Sequence, residues 1–285
     1  MRLILSGSID KGETMITDMG AMVDFLTTSI ANEVDIAIVG VSGGADSTLV
    51  AILCQQALYS KNVQCVTMPY TYIEASEKSA DKVKVLCHKL EVNLKVLPID
   101  AFVDRMNRRI FSVFGHSITN LTKANIMART RMTYLYGVAN MLSDIWDNKK
   151  VRVVGTSNLS EGFMGYCTKF GDNAADLMPI ADLFKSEVYQ MLDHFVEQGV
   201  ITESMVNRVP SADLWDGQTD EDEMGYTYDE IETGFKDLTD AVNSMSPSGK
   251  SVDMAKTSVD NGHKSVPPKQ FKGTRKFCDW DYEKE

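Results

Sequence analysis

The chain begins with a helical pattern of apolar side chains and then changes to short β-branched runs. Apolar residues recur every three or four positions over 13–32, which predicts an amphipathic helix. Segment 34–41 is short, β-branched and leads into glycines, so it predicts a buried strand, and the apolar stretch 49–58 predicts a buried helix. This part of the chain is therefore predicted to run from strand through a tight loop into a helix.

The same alternation continues to about residue 156. Further strands are predicted at 63–68, 94–99 and 151–156, and helices at 76–90, 101–114 and 119–146. The last helix is expected to turn one face inward (Leu121, Ala124, Ala128, Met132, Leu135, Ala139 and Leu142). Strands separated by helices imply parallel pairing with right-handed crossovers. The pattern predicts an α/β fold, a three-layer, doubly wound, Rossmann-like sheet of parallel strands.

Beyond about residue 200 the strand pattern disappears and the chain becomes acidic and rich in turns. Thr219 with Asp222, and Thr227 with Glu230, have the spacing of capping boxes and predict two helix starts. Residues 244–270 are rich in Ser, Gly, Pro and Lys, and parts of this tail are expected to be mobile without ligand. Because no long linker interrupts the chain, residues 1–285 are expected to form a single domain with a tail at 244–285.

Composition and charge restrict the class of partner. The chain is 44% hydrophobic with a mean hydropathy of −0.17, and its apolar start at 1–5 is too short for a signal or a membrane span. A net charge of −11 argues against nucleic acid but is compatible with a small anionic ligand. The cysteines are dispersed and form no CxxC pair, which indicates reduced thiols in a cytoplasmic protein (Cys54, Cys65, Cys87, Cys167 and Cys278).

A glycine-rich loop follows the first predicted strand, at the sheet edge where ligands of parallel sheets bind. Its residues are Gly40, Val41, Ser42, Gly43, Gly44, Ala45, Asp46 and Ser47. Gly43 and Gly44 allow backbone amides to approach phosphate oxygens, and the following helix adds its dipole. The loop is neither GxxxxGK[ST] nor GxGxxG. The alternative is an ordinary strand-to-helix turn capped by Asp46 or Ser47.

The pattern SGGxDS resembles the pyrophosphate-binding loop of ATP pyrophosphatases that adenylate a substrate. Segments 128–132, 155–172 and 210–221, with the pair His263-Lys264 before Pro267, are similar to bacterial NAD synthetases and extend the resemblance over most of the chain. The resemblance implies an adenine nucleotide alpha hydrolase-like fold. It also implies ammonia-dependent amidation of deamido-NAD to NAD, through an acyl-adenylate, with release of AMP and pyrophosphate from ATP.

The same resemblance implies roles for individual residues. ATP is expected to contact residues 40–47 together with Thr156, Lys185 and Ser211, where the family commonly has Thr. Deamido-NAD is expected to contact a second set (Arg129, Lys169, Asp176, His263 and Lys264). Catalytic roles are expected for Asp46, Lys185 and Asp176. Asp46 and Glu161 each follow a predicted strand at the same sheet edge, so they are the expected ligands of Mg²⁺.

Each of these side chains also has a simpler interpretation. Taken singly, Asp46 or Glu161 is an ordinary helix cap, and a lysine such as Lys185 is usually solvated at the surface. An arginine in a long helix, such as Arg129, commonly extends along the surface or pairs with a neighbour. Asp176 lies close to other polar residues and is also compatible with a plain turn.

The resemblance further implies a lid-like segment near 205–225 and a homodimer, for which helices 119–146 and 184–198 are candidate interfaces. No glutaminase domain is expected, because the loop begins at residue 42, so ammonia is expected to be free or delivered by a separate protein. No nucleic acid or membrane partner is expected. The rival interpretations are another adenylating ligase, a tRNA thiolation enzyme, or a nucleotide-binding regulator without catalysis.

Overall fold

A parallel β-sheet forms the centre of the fold. The computed structural model describes residues 16–206, 210, 219–244 and 269–270. Within these residues the sheet has six strands in the order β3-β2-β1-β4-β5-β6, and every neighbouring pair is parallel. The strands are β1 Ile36–Gly40, β2 Val63–Thr67, β3 Asn93–Val96, β4 Val151–Val154, β5 Leu177–Met178 and β6 Lys269–Gln270.

Helices cover both faces of the sheet. They are α1 Met19–Glu33, α2 Ala45–Leu58, α3 Glu74–Lys89, α4 Asp100–Phe114, α5 Asn120–Ile145, α6 Leu159–Met164, α7 Lys185–Glu197, α8 Glu203–Val206, α9 Asp220–Met224 and α10 Tyr228–Ser244. None of the helices in these described segments is both long and apolar enough to cross a membrane.

Strand β1 contributes side chains to two separate hydrophobic cores. Ala37 and Val39 pack into the core that includes α1, α2, α3 and α7, whereas Ile38 packs into the core that includes α4 and α5. This alternation follows from the two-residue period of a strand, which turns successive side chains to opposite faces. The predicted three-layer α/β fold is confirmed.

Helix ends are set by local hydrogen bonds. The first helix begins at Met19, later than predicted, because the Asp18 carboxylate accepts a hydrogen bond of 2.9 Å from the amide of Ala21. Both predicted capping-box starts are confirmed: the Asp222 amide donates to Thr219 Oγ1 over 3.1 Å, and the Thr227 amide donates to Glu230 Oε2 over 2.8 Å.

Three details of the sequence prediction are wrong. Leu121 is 65% exposed because it lies in the first turn of α5, where it lines a cavity and not the core, while Met127 is fully buried instead. A strand does occur beyond residue 200: the polar pair in β6 carries no strand pattern, yet it extends the sheet by pairing with β5. Helix α7 buries Met191 and Phe195 in the core, so the predicted interface at 184–198 is largely internal.

Several predicted features lie outside the described residues. These are Ser211, His263, Lys264, residues 207–209 and 211–218 of the predicted lid, and nearly all of the tail at 244–285.

Candidate active site

A cavity of about 420 Å³ opens at the carboxyl ends of β1 and β4. Its walls come from the loop after β1, the segment after β4, and parts of α5, α7 and α9. The structure brings most of the predicted ATP-binding and metal-binding residues to this cavity (Gly40, Val41, Ser42, Gly44, Ala45, Asp46, Ser47, Thr156, Glu161 and Lys185).

The glycine loop is shaped by a left-handed residue and two hydroxyls. Gly43 has φ +82°, and a Cβ there would lie 3.2 Å from the carbonyl oxygen of Ser79. The Ser42 amide donates to Ser47 Oγ over 3.2 Å, and the Gly44 amide donates to Ser42 Oγ over 3.2 Å. Because Gly44 occupies the N-cap position of α2, the alternative of a turn capped by Asp46 or Ser47 is wrong.

Three charged side chains meet beside this loop. Lys185 Nζ lies 2.5 Å from Asp46 Oδ2 and 3.5 Å from Glu161 Oε1. Asn158, the N-cap of α6, donates from Nδ2 to Asp46 Oδ1 over 2.9 Å and thereby orients this carboxylate. The Lys185 side chain is only 4% exposed, so it is not a solvated surface lysine.

Burial and mutual charge shift the ionisation of this group. Burial, chiefly, together with the charge of Asp46, raises the pKa of Glu161 to about 8 against the opposing effect of Lys185. Burial alone lowers the pKa of Lys185, but Asp46 and Glu161 together raise it above its ordinary value. Lys185 is therefore charged at neutral pH, where it faces Asp46 and a Glu161 side chain that holds its proton more tightly than usual.

The site fits a cation that is shared with a phosphate ligand. The described residues contain no group of three or more His, Cys, Asp or Glu side chains able to hold a metal alone. In nucleotide sites, however, Mg²⁺ commonly takes one or two carboxylates and completes its shell with phosphate oxygens and water. Asp46 and Glu161 supply two such carboxylates, and a second cation would relieve the unfavourable burial of Glu161.

Acidic and phenolic side chains form a further wall that the sequence did not predict. Asp220 accepts hydrogen bonds from Tyr166 over 3.3 Å and from Tyr228 over 3.1 Å, while Tyr166 also bonds Glu223. The Tyr228 ring lies 5.2 Å from Lys185 Nζ. Burial, chiefly, raises the pKa of Asp220 and of both phenols. Tyr166 and Asp220 lie in segments that carried the resemblance, whereas Tyr228 lies in no motif.

Two predicted substrate residues lie together on the outer side of α5. Arg129 Nε donates to the carbonyl oxygen of Lys169 over 3.1 Å, and Lys169 Nζ lies 5.0 Å from the Phe170 ring. The neighbouring Arg131 is the arginine that reaches the cavity, where its Nε donates to the carbonyl oxygen of Met68 over 3.1 Å.

Asp176 lies beside β4, with both carboxylate oxygens already engaged. One oxygen accepts from Tyr136 OH over 3.3 Å and the other from the Val153 amide over 2.7 Å. Among the described residues, those lining the cavity do not include Asp176. Its catalytic role therefore stays a prediction.

Comparison with known proteins identifies clear relatives. The family model for NAD synthase matches residues 19–275. The NH(3)-dependent NAD(+) synthetase of Chlorobium phaeobacteroides is 36% identical over 220 residues, which are 75% of this chain and 73% of the relative. The structure of NMN synthetase from Francisella tularensis has a TM-score of 0.65 at 27% identity, and the match covers 88% of this chain and 96% of the Francisella chain. The structure of NH3-dependent NAD synthetase from Campylobacter jejuni has a TM-score of 0.60 at 27% identity, and the match covers 87% of this chain and 96% of the Campylobacter chain.

Proposed function

Because the chain belongs to the NAD synthase family, we propose that it amidates deamido-NAD to NAD with ammonia at the expense of ATP. The observation that carries this proposal is the buried group of Lys185, Asp46 and Glu161 beside the glycine loop. This group joins one fixed positive charge to two carboxylates at the place where a parallel sheet binds its ligands.

The first step activates the carboxylate, because ammonia displaces hydroxide from a carboxylate very slowly. A nicotinate carboxylate oxygen bonds to the α-phosphorus of ATP, and the bond from this phosphorus to pyrophosphate breaks. Ser42 and Ser47 face the cavity and are the proposed donors to the departing phosphates. Lys185, whose side chain is only 4% exposed, supplies the charge that stabilises them.

The second step forms the amide. Ammonia attacks the acyl carbon, the bond to AMP breaks, and the nitrogen loses a proton. The proposal requires no covalent nucleophile, which agrees with the state of Cys167 in the cavity wall: burial raises the pKa of its thiol to about 11, so it stays protonated at neutral pH. The protein acts by positioning its substrates and stabilising charge.

Asp46 and Glu161 are the proposed ligands of Mg²⁺. When bound, Mg²⁺ would neutralise phosphate charge during the departure of pyrophosphate. Thr156 faces the same cavity and is proposed to contact ATP, as is Ser211. Arg129, Lys169, Asp176, His263 and Lys264 are proposed to contact deamido-NAD.

We propose a homodimer whose interface includes α4 and α5. Both helices expose large apolar side chains: Phe111 is 54% exposed, Phe114 70% and Ile145 62%. Substituting Phe111→Glu and Phe114→Glu together should yield a monomer in light scattering, whereas Tyr226→Glu, at an equally exposed position between α9 and α10, should not. A dimer that survives the double substitution would place the interface elsewhere.

The proposed nitrogen donor is ammonia, free or delivered by a separate protein, and the chain is proposed to act as one synthetase domain in the cytoplasm. The described cysteines Cys54, Cys65 and Cys87 are free and buried, which fits a reducing compartment. Glutamine should support turnover only through contaminating ammonia. Glutaminase activity in the purified chain would contradict this assignment.

A second candidate substrate is nicotinate mononucleotide, because one of the similar structures is an NMN synthetase. The names of the sequence relatives favour the dinucleotide. The test compares kcat/KM for both substrates with ATP, ammonium and Mg²⁺, and we expect a preference of at least about tenfold for deamido-NAD, or roughly 1.4 kcal/mol. The reverse preference would establish the mononucleotide reaction, and release of no pyrophosphate with either substrate would favour a regulator without catalysis.

A further inference from the structure

The N-terminus of α7 is capped by other elements of the chain. Its N-cap residue, Phe184, has no side-chain acceptor, so the first free amides of the helix need partners from elsewhere. The Lys185 amide donates to Ser160 Oγ over 3.1 Å, and the Ser186 amide donates to Glu232 Oε1 over 3.1 Å. The caps thus come from α6 and α10.

Glu232 is the centre of this arrangement. Its carboxylate accepts from Ser160 Oγ over 3.2 Å and from Ser186 Oγ over 2.6 Å, in addition to the Ser186 amide. The residue is only 6% exposed, and it is not among the described residues that line the cavity. One buried carboxylate therefore joins α6, α7 and α10.

The two serines that Glu232 holds adjoin the functional residues directly. Ser160 precedes Glu161, and Ser186 follows Lys185. The distance between Glu161 Oε1 and Lys185 Nζ, 3.5 Å, thus depends on the relative placement of two helix starts that share this cap.

Two aromatic side chains of α10, one turn before and one turn after Glu232, also contact the start of α7. One turn before Glu232, Tyr228 places its ring 5.2 Å from Lys185 Nζ. One turn after it, Phe235 packs edge-to-face on Phe184, with ring centroids 5.4 Å apart. Aromatic packing and the shared cap therefore fix α7 against α10.

We propose that Glu232 is a positioning residue that sets the separation of Glu161 and Lys185 and so aligns the site for the phosphates of ATP. The inference rests on the proposed function for its kinetic consequence. Its physical basis is that a supporting shell must hold charged groups within a fraction of an ångström of their working geometry.

Two substitutions of Glu232 separate geometry from charge. Glu232→Gln keeps a carbonyl acceptor for the Ser186 amide, and its amide group can donate to Ser186 Oγ. Glu232→Ala removes every partner. We expect Glu232→Ala to lower kcat by about 10–100-fold and to raise KM for ATP at least about fivefold, whereas Glu232→Gln should stay within roughly threefold of the original chain.

The kinetic pattern distinguishes positioning from general support of the fold. A purely structural role reduces the amount of folded enzyme, which lowers the maximal rate but leaves KM for ATP unchanged, and that result would overturn the inference. Asp237→Asn, exposed on the same helix, is the matched control and should behave as the original chain. If Glu232→Ala does not fold, Ser186→Ala replaces it. An unchanged KM for ATP in that variant would also overturn the inference.

Binding of ATP with Mg²⁺ to the full chain, measured by calorimetry, separates this inference from the proposed function. If ATP binds more weakly to Glu232→Ala than to Glu232→Gln, the positioning role is supported. Failure of the original chain to make NAD would refute only the proposed function and leave this result standing. If the original chain and both variants bind ATP equally and turn over equally, the positioning role of Glu232 is refuted while the proposed function stands.

Discussion

Lys185 Nζ lies 2.5 Å from Asp46 Oδ2, although the two residues are 139 positions apart in the sequence. The contact joins the first turns of α2 and α7 at the carboxyl edge of the sheet. Both side chains are largely buried, so water cannot take the place of a missing partner. Loss of either residue therefore leaves the charge of the other uncompensated. This pair therefore links the stability of the fold to the chemistry of the site.

Lys185→Met should impair both stability and turnover. Removing one partner of a buried ion pair costs about 3–5 kcal/mol, and loss of a charge that stabilises a transition state costs about 10²–10³-fold in kcat. The pKa of Lys185 is raised, so its stabilising contribution is complete below the ordinary lysine pKa and is lost only at higher pH. Denaturant unfolding and steady-state kinetics measure the two effects. Exposed Lys149→Met is the control, and equal behaviour of both variants would refute the assignment.

Asp46→Asn should weaken the use of Mg²⁺ in particular. Replacing a carboxylate ligand by an amide is expected to raise the Mg²⁺ concentration for half-maximal turnover at least about tenfold. The measurement is a Mg²⁺ titration at saturating ATP, with exposed Asp24→Asn as the control. Unchanged turnover at limiting Mg²⁺ would show that the metal assignment is wrong.

Glu161→Gln should stabilise the protein without ligands in a pH-dependent way. The folded pKa of Glu161 is about 8 and its ordinary value is 4.5, so the folded state holds the proton more tightly. Stability of the original chain therefore falls as pH rises between these values, and the variant avoids this loss. One pKa unit corresponds to about 1.4 kcal/mol, which limits the gain to about 5 kcal/mol.

Within this limit, we expect a gain of at least about 1–2 kcal/mol near pH 8. Thermal unfolding in a chelator across this pH range gives the difference, which should vanish below about pH 4.5. A variant that is less stable than the original chain at about pH 8 would contradict the account. Turnover should fall in the same variant, because it loses a metal ligand.

Gly43→Ala should distort the glycine loop. Alanine is strained at φ +82°, and its Cβ would lie 3.2 Å from the carbonyl oxygen of Ser79, so we expect a loss of about 1–2 kcal/mol and a higher KM for ATP. Gly137→Ala is the control, because a Cβ there meets nothing within 4 Å and should stabilise α5 by about 0.5–1 kcal/mol. Equal ATP kinetics in both variants would show that the loop does not require glycine.

Local pattern predicted the framework of the site well. The strand that precedes Asp46 is a continuous apolar run, and the glycine loop and the following helix each leave a clear local signal, so the position of Asp46 followed from the sequence. The strands β5 and β6 were missed because each has two residues, too few for any periodicity to appear.

Contacts between distant segments could not be predicted in the same way. Tyr228 and Glu232 lie on a helix whose start has a capping motif but which has no binding motif, and only the packing of α10 against α6 and α7 brings them to Lys185 and its neighbours. Arg129 and Arg131 lie in one motif, but they are two positions apart on α5 and so point to different sides of the helix, and Arg131 is the one that lines the cavity. Rotation about a helix axis depends on packing, which the motif does not contain.

The central claim is that the substrate carboxylate is activated by transfer of an adenylyl group. The most direct measurement uses deamido-NAD carrying oxygen-18 in both carboxylate oxygens, incubated with ATP, ammonium and Mg²⁺, with the products analysed by mass spectrometry. We expect AMP that carries one oxygen-18 atom, and NAD whose new amide retains the other. Formation of ADP with labelled phosphate, or of AMP without label, would contradict it.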